Sequence, residues 1–281
     1  MVTGATGKAG RQVVAHLVRA GHSVRALTRD PDRAILPAGV EVVRGDLMRP
    51  ETLGPALDGV VGIHLLTVGG DDYATLDTGP DLVTLASAAG VRKVAVLWNG
   101  QQGPVERAVE DSDLEWTHLR PVDFMSNALA WADPIRRDGL VREPFAGTRS
   151  AVVDEADVGA VSAAVLTGEG HAGKAYTLTG PEALTAPERL AAIGVAIGRE
   201  LRFSELSEHQ ARERWRQAGH SEELIDLLAD WQGRPPPEAY TVTSTVHDLL
   251  GRPPRGFADW AREHADAFTP GSPEPSYATP G

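Results

Sequence analysis

The stretch Val2-Thr3-Gly4-Ala5-Thr6-Gly7-Lys8-Ala9-Gly10 decides the fold. An apolar start runs into three evenly spaced glycines, and a helical pattern opens at Lys8 and continues to Ala20. In a dinucleotide-binding turn the first glycine permits the tight bend and the second lets backbone approach a pyrophosphate. The third lets the helix pack closely on the sheet. Gly4, Gly7 and Gly10 stand in those three places, and the pyrophosphate would meet N–H groups at the helix N-terminus. The alternative is a Gly-rich strand–helix turn with no ligand, which the strand–turn–helix context disfavours. Only Met1, Val2 and Thr3 precede the turn. The first strand is therefore expected either to be very brief or to lack residues ahead of Met1.

Outward from this turn, helical and strand patterns alternate through about residue 120, the mark of a parallel, doubly wound sheet. Residues 23–28, 41–44, 62–66, 93–98 and 115–119 read as strands. Residues 8–20, 50–57, 79–89 and 103–112 read as helices, and Gly21, Gly59 and Gly90 sit where C-cap glycines would. Farther on, Asp154 to Asp157 open a helix with acids in its first turn, and Lys174–Leu178 reads as one more strand. From Gly180 the pattern is mainly helical, over 186–197, 207–219, 221–232 and 257–268. The expected fold is α/β: a Rossmann doubly wound parallel sheet over 1–180, with a smaller, mainly helical substrate domain over 181–268. Residues 269–281 (TPGSPEPSYATPG) are expected to be a disordered tail.

Composition narrows the chemistry. A chain of 281 residues can bury a large core, and no apolar run is long enough to span a bilayer. Cysteine is absent, which removes disulfides, thiolate metal sites and Cys nucleophiles and suits a reducing, cytoplasmic setting. The nine histidines have no metal-ligand spacing, so no metal is expected. A net charge of −12 argues against nucleic acid as a partner. The only lysines are Lys8, Lys93 and Lys174.

The second strand ends in Thr28-Arg29-Asp30, where an NAD-selecting site would place a carboxylate for the ribose 2′-hydroxyl. Arg29, with Arg33 one turn on, suits a 2′-phosphate instead, because guanidiniums grip phosphate with charge-assisted hydrogen bonds. Asp30 is the competing acid and would favour NADH. NADPH is the preferred reading. Gly45-Asp46-Leu47 follows the third strand, where the Asp46 side chain could meet an adenine amino group.

Five blocks together resemble a known family: VTGATGKAG at 2–10, LTRDPDRA at 27–34, RGDL at 44–47, LEWTHLRPVDFMSNAL at 114–129 and YTLTGPEALT at 176–185. The stretch 203–230 adds to them. The chain resembles the NmrA-like atypical short-chain dehydrogenases, in particular their NADPH:quinone oxidoreductase branch, up to about Phe268. The resemblance implies a Rossmann fold with a small lid domain, NADPH in the crevice and substrate between the domains. By matching positions it gives cofactor roles to Gly4, Thr6, Gly7, Lys8, Ala9, Gly10, Arg29, Arg33, Asp46 and Leu47. Thr67, Val68 and Gly69 would line the ribose side, and Pro121, Val122 and Phe124 the nicotinamide side.

The departures from the wider superfamily carry as much. Its classical members use Tyr-x-x-x-Lys as proton donor and pKa-lowering partner, and none of the four tyrosines here has Lys four residues on. Counting back from Arg120-Pro121 puts Gln102 at the Tyr position and Glu106 at the Lys position, with Asn99 near the Ser position. The loop Asn99–Gly103 is short. His118 could face the nicotinamide or simply satisfy a local hydrogen bond. Trp98, Asn99, Phe124, Met125, Trp131 and Phe145 could form a pocket for a flat aromatic substrate, and core packing is the competing explanation for each aromatic. Asn99, Gln102 and His118 are the catalytic candidates.

Two functions fit. The first is an NADPH-dependent reductase of quinones or related planar aromatic ketones, extending to aromatic polyketide tailoring as half of a hydroxylating pair. A quinone takes hydride to give a stabilised anion and can dispense with a positioned acid, unlike a simple ketone. The second is an NADP(H)-sensing regulator that binds a protein partner without turnover. A homo-oligomer is compatible with both.

Overall fold

The computed structural model describes residues 1–70 and 74–270, so all but the first two residues of the expected tail lie outside the described residues. The chain forms two compact units. The first comprises Met1–Pro121, Glu155–Leu178 and Thr245–Arg252.

Its sheet contains β1 (Arg25–Thr28), β2 (Glu41–Arg44), β3 (Gly62–Leu66), β4 (Lys93–Leu97), β5 (Glu115–Pro121) and β6 (Lys174–Leu178). β1 pairs with β2, and β3, β4, β5 and β6 pair in that order, every pair parallel. Val2 joins the two halves by bridging Ala26 of β1 and His64 of β3 in parallel. Its N–H donates to the Arg25 carbonyl at 2.8 Å, and its own carbonyl accepts from Leu27 N–H at 2.9 Å. The first strand is thus a single bridging residue. From it the sheet is built outward in both directions, and such a switch point is where α/β sheets bind ligands, beyond the carboxyl ends of the strands.

Helices cover both faces of this sheet: α1 (Lys8–Arg19), α2 (Gly79–Ala88), α3 (Pro104–Glu110), α4 (Glu155–Thr167) and α5 (Thr245–Leu250). Val13, Val14 and Leu17 of α1 pack with Ala26 and Ala163 on one side. Leu82, Val83, Ala86, Val105 and Val109 of α2 and α3 pack on Ile63, Leu65, Val94 and Val96 on the other. Burying each such aliphatic side chain is worth about 1.5–3 kcal/mol, which is why these β-rich and helical runs settle as a double-sided layer. The expected helix over 50–57 is instead a 3-10 turn, Pro50–Thr52, followed by one α-turn, Gly54–Leu57. Pro50, Gly54 and Pro55 leave too little regular helix there.

The second unit comprises Val122–Asp154, Thr179–Ser244 and the chain from Pro253 on. The expected boundary at residue 180 is corrected, because the units interleave along the chain. α4 returns to the first unit since Gly159 lets it meet α1 almost backbone to backbone: a Cβ there would stand 2.5 Å from Gln12 Cβ. Just beyond α5, Arg252 reaches the buried Asp157 of α4 at 2.7 Å.

In the second unit the helix Ala186–Ile197 buries Leu190 and Ile193 with Phe257, Trp260 and Phe268. A second cluster holds Trp215, Ile225 and Ala229 from the helices Glu208–Gln217 and Glu222–Gly233. The region after Gly180 is less helical than expected. Arg202–Leu206 is a strand, paired in parallel with Leu140–Pro144. No helix among the described residues is long and apolar enough to cross a membrane.

Candidate functional site

The turn at Gly4–Gly10 has the geometry its glycines foretold. Gly4 sits at φ +57°, a left-handed conformation that favours glycine. Gly7 N–H donates to the Gly4 carbonyl at 2.9 Å and closes the bend. A Cβ on Gly10 would lie 2.1 Å from the Gly4 carbonyl oxygen, so the helix can seat here only without a side chain. Gly7 is the N-cap of α1, no side chain caps the helix, and no acid stands in its first turn. Lys8 adds a cation at the same end. Arg11 stiffens the bend by donating to the Thr6 and Gly7 carbonyls at 2.6 and 3.2 Å. A bare, cationic helix N-terminus of this kind fits a pyrophosphate. Thr6 and Ala9 complete the turn, with Ala9 and Gly10 buried against the sheet.

At the ends of β1 and β2, Arg29 and Arg33 are both exposed, Arg33 within a 3-10 turn over Pro31–Arg33. A third arginine joins them. Arg44, the last residue of β2, donates to the Arg29 carbonyl at 3.0 Å, so three guanidinium-bearing residues gather at neighbouring strand ends. Sequence reading passed over Arg44, although RGDL at 44–47 was singled out for its aspartate. Asp30 is exposed beside them, and its N–H donates to Thr28 Oγ1 at 3.2 Å. Asp46 spends Oδ1 on Met48 N–H at 3.0 Å. Leu47 is buried and its carbonyl accepts from Thr78 Oγ1 at 2.7 Å, which leaves it a packing role. Thr67 is buried with its hydroxyl 3.5 Å from the Leu97 carbonyl, while Val68 and Gly69 pair with Ala74 and Thr75.

A second strand–turn–helix junction, from β4 into α3, is built differently. Asn99 turns its side-chain oxygen onto Gln101 N–H at 3.2 Å, and Gln102 Nε2 donates to Glu110 at 2.9 Å. Glu106 is fully buried. Its carboxylate Oε2 accepts Gly103 N–H at 2.9 Å, so the N3 side chain folds back onto the N-cap backbone of α3. Glu106 is therefore no solvated helix residue. Its second oxygen, Oε1, has no partner.

His118 is 1% exposed, and its Nε2 lies 2.9 Å from Glu110 Oε1 beneath α3. Burial holds its pKa below the ordinary imidazole value despite Glu110. It sits against Trp98 and Trp116 as a core histidine. Two residues on, and so on the same sheet face, the Arg120 guanidinium stacks 4.1 Å over Trp98.

The residues expected in an aromatic pocket are divided between the two units. Met125 and Trp131 are buried in the core of the second unit with Phe257 and Trp260, so packing accounts for both. Phe145 adopts φ +56°, which is rare for a bulky side chain, and belongs to the separate cluster around Trp215 and Ile225. Phe124 bridges Val153 just before the 3-10 segment Met125–Trp131. Val122 and Phe124 are half-buried in the second unit, whereas Pro121 ends β5. Trp98 and Asn99 remain at the end of β4 in the first unit, the former half-buried and the latter exposed.

Comparisons with known proteins match this picture. Residues 1–101 match the model of the NmrA-like family. The chain is 40% identical to a (4-alkanoyl-5-oxo-2,5-dihydrofuran-3-yl)methyl phosphate reductase of Streptomyces griseus, over 96% of this chain and 99% of that protein. It is 33% identical to an NAD(P)H azoreductase of Xenophilus azovorans, over 95% and 98% of the two chains. The crystal structure of an NADPH-dependent quinone oxidoreductase of Escherichia coli in complex with NADPH superposes with a TM-score of 0.78 at 25% identity, covering 93% and 98% of the two chains.

Proposed function

We propose, from the premise that the chain belongs to the NmrA-like family, that it is an NADPH-dependent reductase of conjugated acceptors, quinones and related planar aromatic ketones foremost. It is an NAD(P)H-dependent oxidoreductase like its relatives. Bound NADPH supplies a hydride. The chain supplies the turn Gly4–Gly10 for the pyrophosphate, and Arg29, Arg33 and Arg44 for the 2′-phosphate.

The observation that carries the choice of acceptor is the state of the two positions where the classical tyrosine acid and its lysine partner would stand. Gln102 is an amide tied to Glu110, and Glu106 is buried with Oε2 holding Gly103 N–H. Neither stands as an open, tyrosine-like proton donor to a nascent alkoxide. A simple ketone needs that proton, because its product anion is strongly basic. A quinone does not, because the added electron pair spreads over a phenolate-like system that water protonates later. Two of the acceptors named for the relatives, a conjugated furanone and a quinone, likewise give oxygen-delocalised anions on hydride addition. An aromatic polyketide with a quinone ring is a natural extension of the class.

The test is stopped-flow mixing of the NADPH-loaded protein with a panel of quinones, conjugated lactones and simple ketones. Oxidation of NADPH by quinones or lactones, with ketones inert, is the expected result. Tight NADPH binding with no oxidation by any of them would overturn the proposal in favour of a cofactor-sensing regulator.

A further inference from the structure

We propose that Arg120 is a catalytic residue that takes up the negative charge left on the acceptor, in place of the acid the fold has lost. This rests on the reductase reading above. Hydride addition to a conjugated acceptor forms one C–H bond and drives the π pair onto the conjugated oxygen. The acceptor gains two electrons, the nicotinamide loses two, and a water proton later neutralises the oxyanion. Between those events the oxygen bears a full charge. A preorganised cation aimed at that oxygen lowers the barrier without transferring a proton. Arginine suits the task because it stays protonated throughout.

Four observations single out Arg120. It is the penultimate residue of β5, at the carboxyl end of the sheet, where ligands of such folds bind. Alternation places it on the same face as His118, which bonds to α3, the helix that follows the lost Tyr position. Its guanidinium carbon lies over the Trp98 ring, 4.1 Å from the centroid, and it makes no ion pair among the described residues. Its Nε is buried with no acceptor. Buried donors without partners are exceptional in native proteins and ask for a ligand or a function.

The other cations near the sheet are committed elsewhere. Lys93 pairs with Glu169 at 2.9 Å, and Arg107 donates to the Gln102 carbonyl at 3.1 Å. Arg25 pairs with Glu41 at 2.8 Å, and Lys174 stands at the amino end of β6. Arg29, Arg33 and Arg44 stand at β1 and β2. Burial, with Arg120 acting in the same sense, lowers the His118 pKa against the opposing pull of Glu110 and Glu106.

The experiment uses two readouts on the full-length protein and on Arg120→Gln and Arg120→Lys, with folding checked by circular dichroism and NADPH affinity measured for each. The first readout is optical titration of 4-nitrophenol bound to the NADP⁺-loaded protein. The wild type should lower the phenol pKa by about one unit, a tenfold preference for phenolate. Arg120→Gln should abolish that preference and Arg120→Lys keep part of it. The second is the single-turnover rate of quinone reduction, which should fall about a hundredfold in Arg120→Gln, the scale of a lost oxyanion contact, with NADPH affinity unchanged. If the wild type shows no phenolate preference, or fails to bind the phenol, the proposal falls. It falls equally if folded Arg120→Gln matches the wild type in rate. A wild type that prefers phenolate through Arg120 but reduces no quinone would sink the quinone reading and retain the anion site.

Discussion

Two strand–turn–helix junctions of the first unit, those that open α1 and α3, have opposite chemistry. At the first, α1 begins on Gly7 with no side-chain cap, no acid in the first turn and Lys8 alongside. At the second, α3 begins on Gly103, and its own Glu106 returns to cap it. Both helix ends carry the same backbone dipole. The first leaves it available to an external phosphate, and the second neutralises it with an internal carboxylate. One residue in each first turn, Lys8 against Glu106, separates the open end we propose for pyrophosphate from a closed structural end. The chemistry lost at the second junction is also why a cation on β5 is needed.

The comparison breaks most severely at Gly7. A Cβ there would meet the Gly4 carbonyl oxygen at 3.2 Å, a tight contact the bend can relieve by a few tenths of an ångström. Gly7→Ala should therefore stay folded yet lose NADPH and NADH alike by a hundredfold or more, about 3 kcal/mol. Fluorescence titration of both cofactors measures this, and affinity retained within threefold would move the pyrophosphate elsewhere. Gly10→Ala, with its Cβ 2.1 Å from the same oxygen, should instead fail to fold.

Acid tests the strand that feeds the first junction. His64 on β3 accepts Thr3 N–H at its carbonyl, and its ring lies 2.8 Å from Ser162 Oγ. Burial lowers its pKa to about 4, so the unfolded chain binds a proton more readily than the folded one. Stability should therefore be lost as pH falls from about 6.5 through about 4, to the extent of about 3 kcal/mol. Urea unfolding of wild type and His64→Leu across that range should show the slope flattened in the variant. Equal slopes would mean that His64 does not govern it.

Selectivity sharpens the first junction further. Arg29→Ala should weaken NADPH binding by about 2 kcal/mol, the scale of a charge-assisted contact, and leave NADH nearly unchanged. Equal losses for both cofactors would remove Arg29 from the 2′-phosphate. Arg44→Ala should show a smaller loss with the same cofactor bias, through its hold on the Arg29 carbonyl.

The shape of the first junction was legible because glycine spacing writes backbone geometry directly into sequence. The strands Glu41–Arg44, Gly62–Leu66 and Lys174–Leu178 have the bounds their apolar runs predict. The second junction was half legible. Counting placed Gln102 and Glu106, but whether a carboxylate points to solvent or folds back on its own cap depends on a rotamer that no pattern encodes. Arg202–Leu206 escaped for a different reason. Its partner Leu140–Pro144 lies far back in the chain, and its burial on one side is too weak for clear alternation. The burial of Met125 and Trp131 was equally hard to read, because which side of the backbone an apolar residue faces is fixed only by tertiary packing.

The smallest expected effect isolates the carboxylate at the second junction. Glu106→Gln keeps an oxygen that can accept Gly103 N–H, so the contact with the N-cap survives while the carboxyl group is replaced by an amide. Stability should change by less than about 1 kcal/mol, and quinone reduction by less than tenfold, about 1.4 kcal/mol of barrier. Glu106→Ala removes the cap altogether and should cost about 1–2 kcal/mol of stability. It also strips the acid from the α3 N-terminus, which makes that end resemble α1. The informative variant is therefore the glutamine one, where the fold is preserved and only the carboxyl group is lost. General acid–base catalysis is worth a hundredfold or more. A hundredfold fall in single-turnover rate for folded Glu106→Gln, with NADPH affinity intact, would make Glu106 a working acid or base. The second junction would then be a catalytic end rather than a closed one, and the contrast between Lys8 and Glu106 would have been misread.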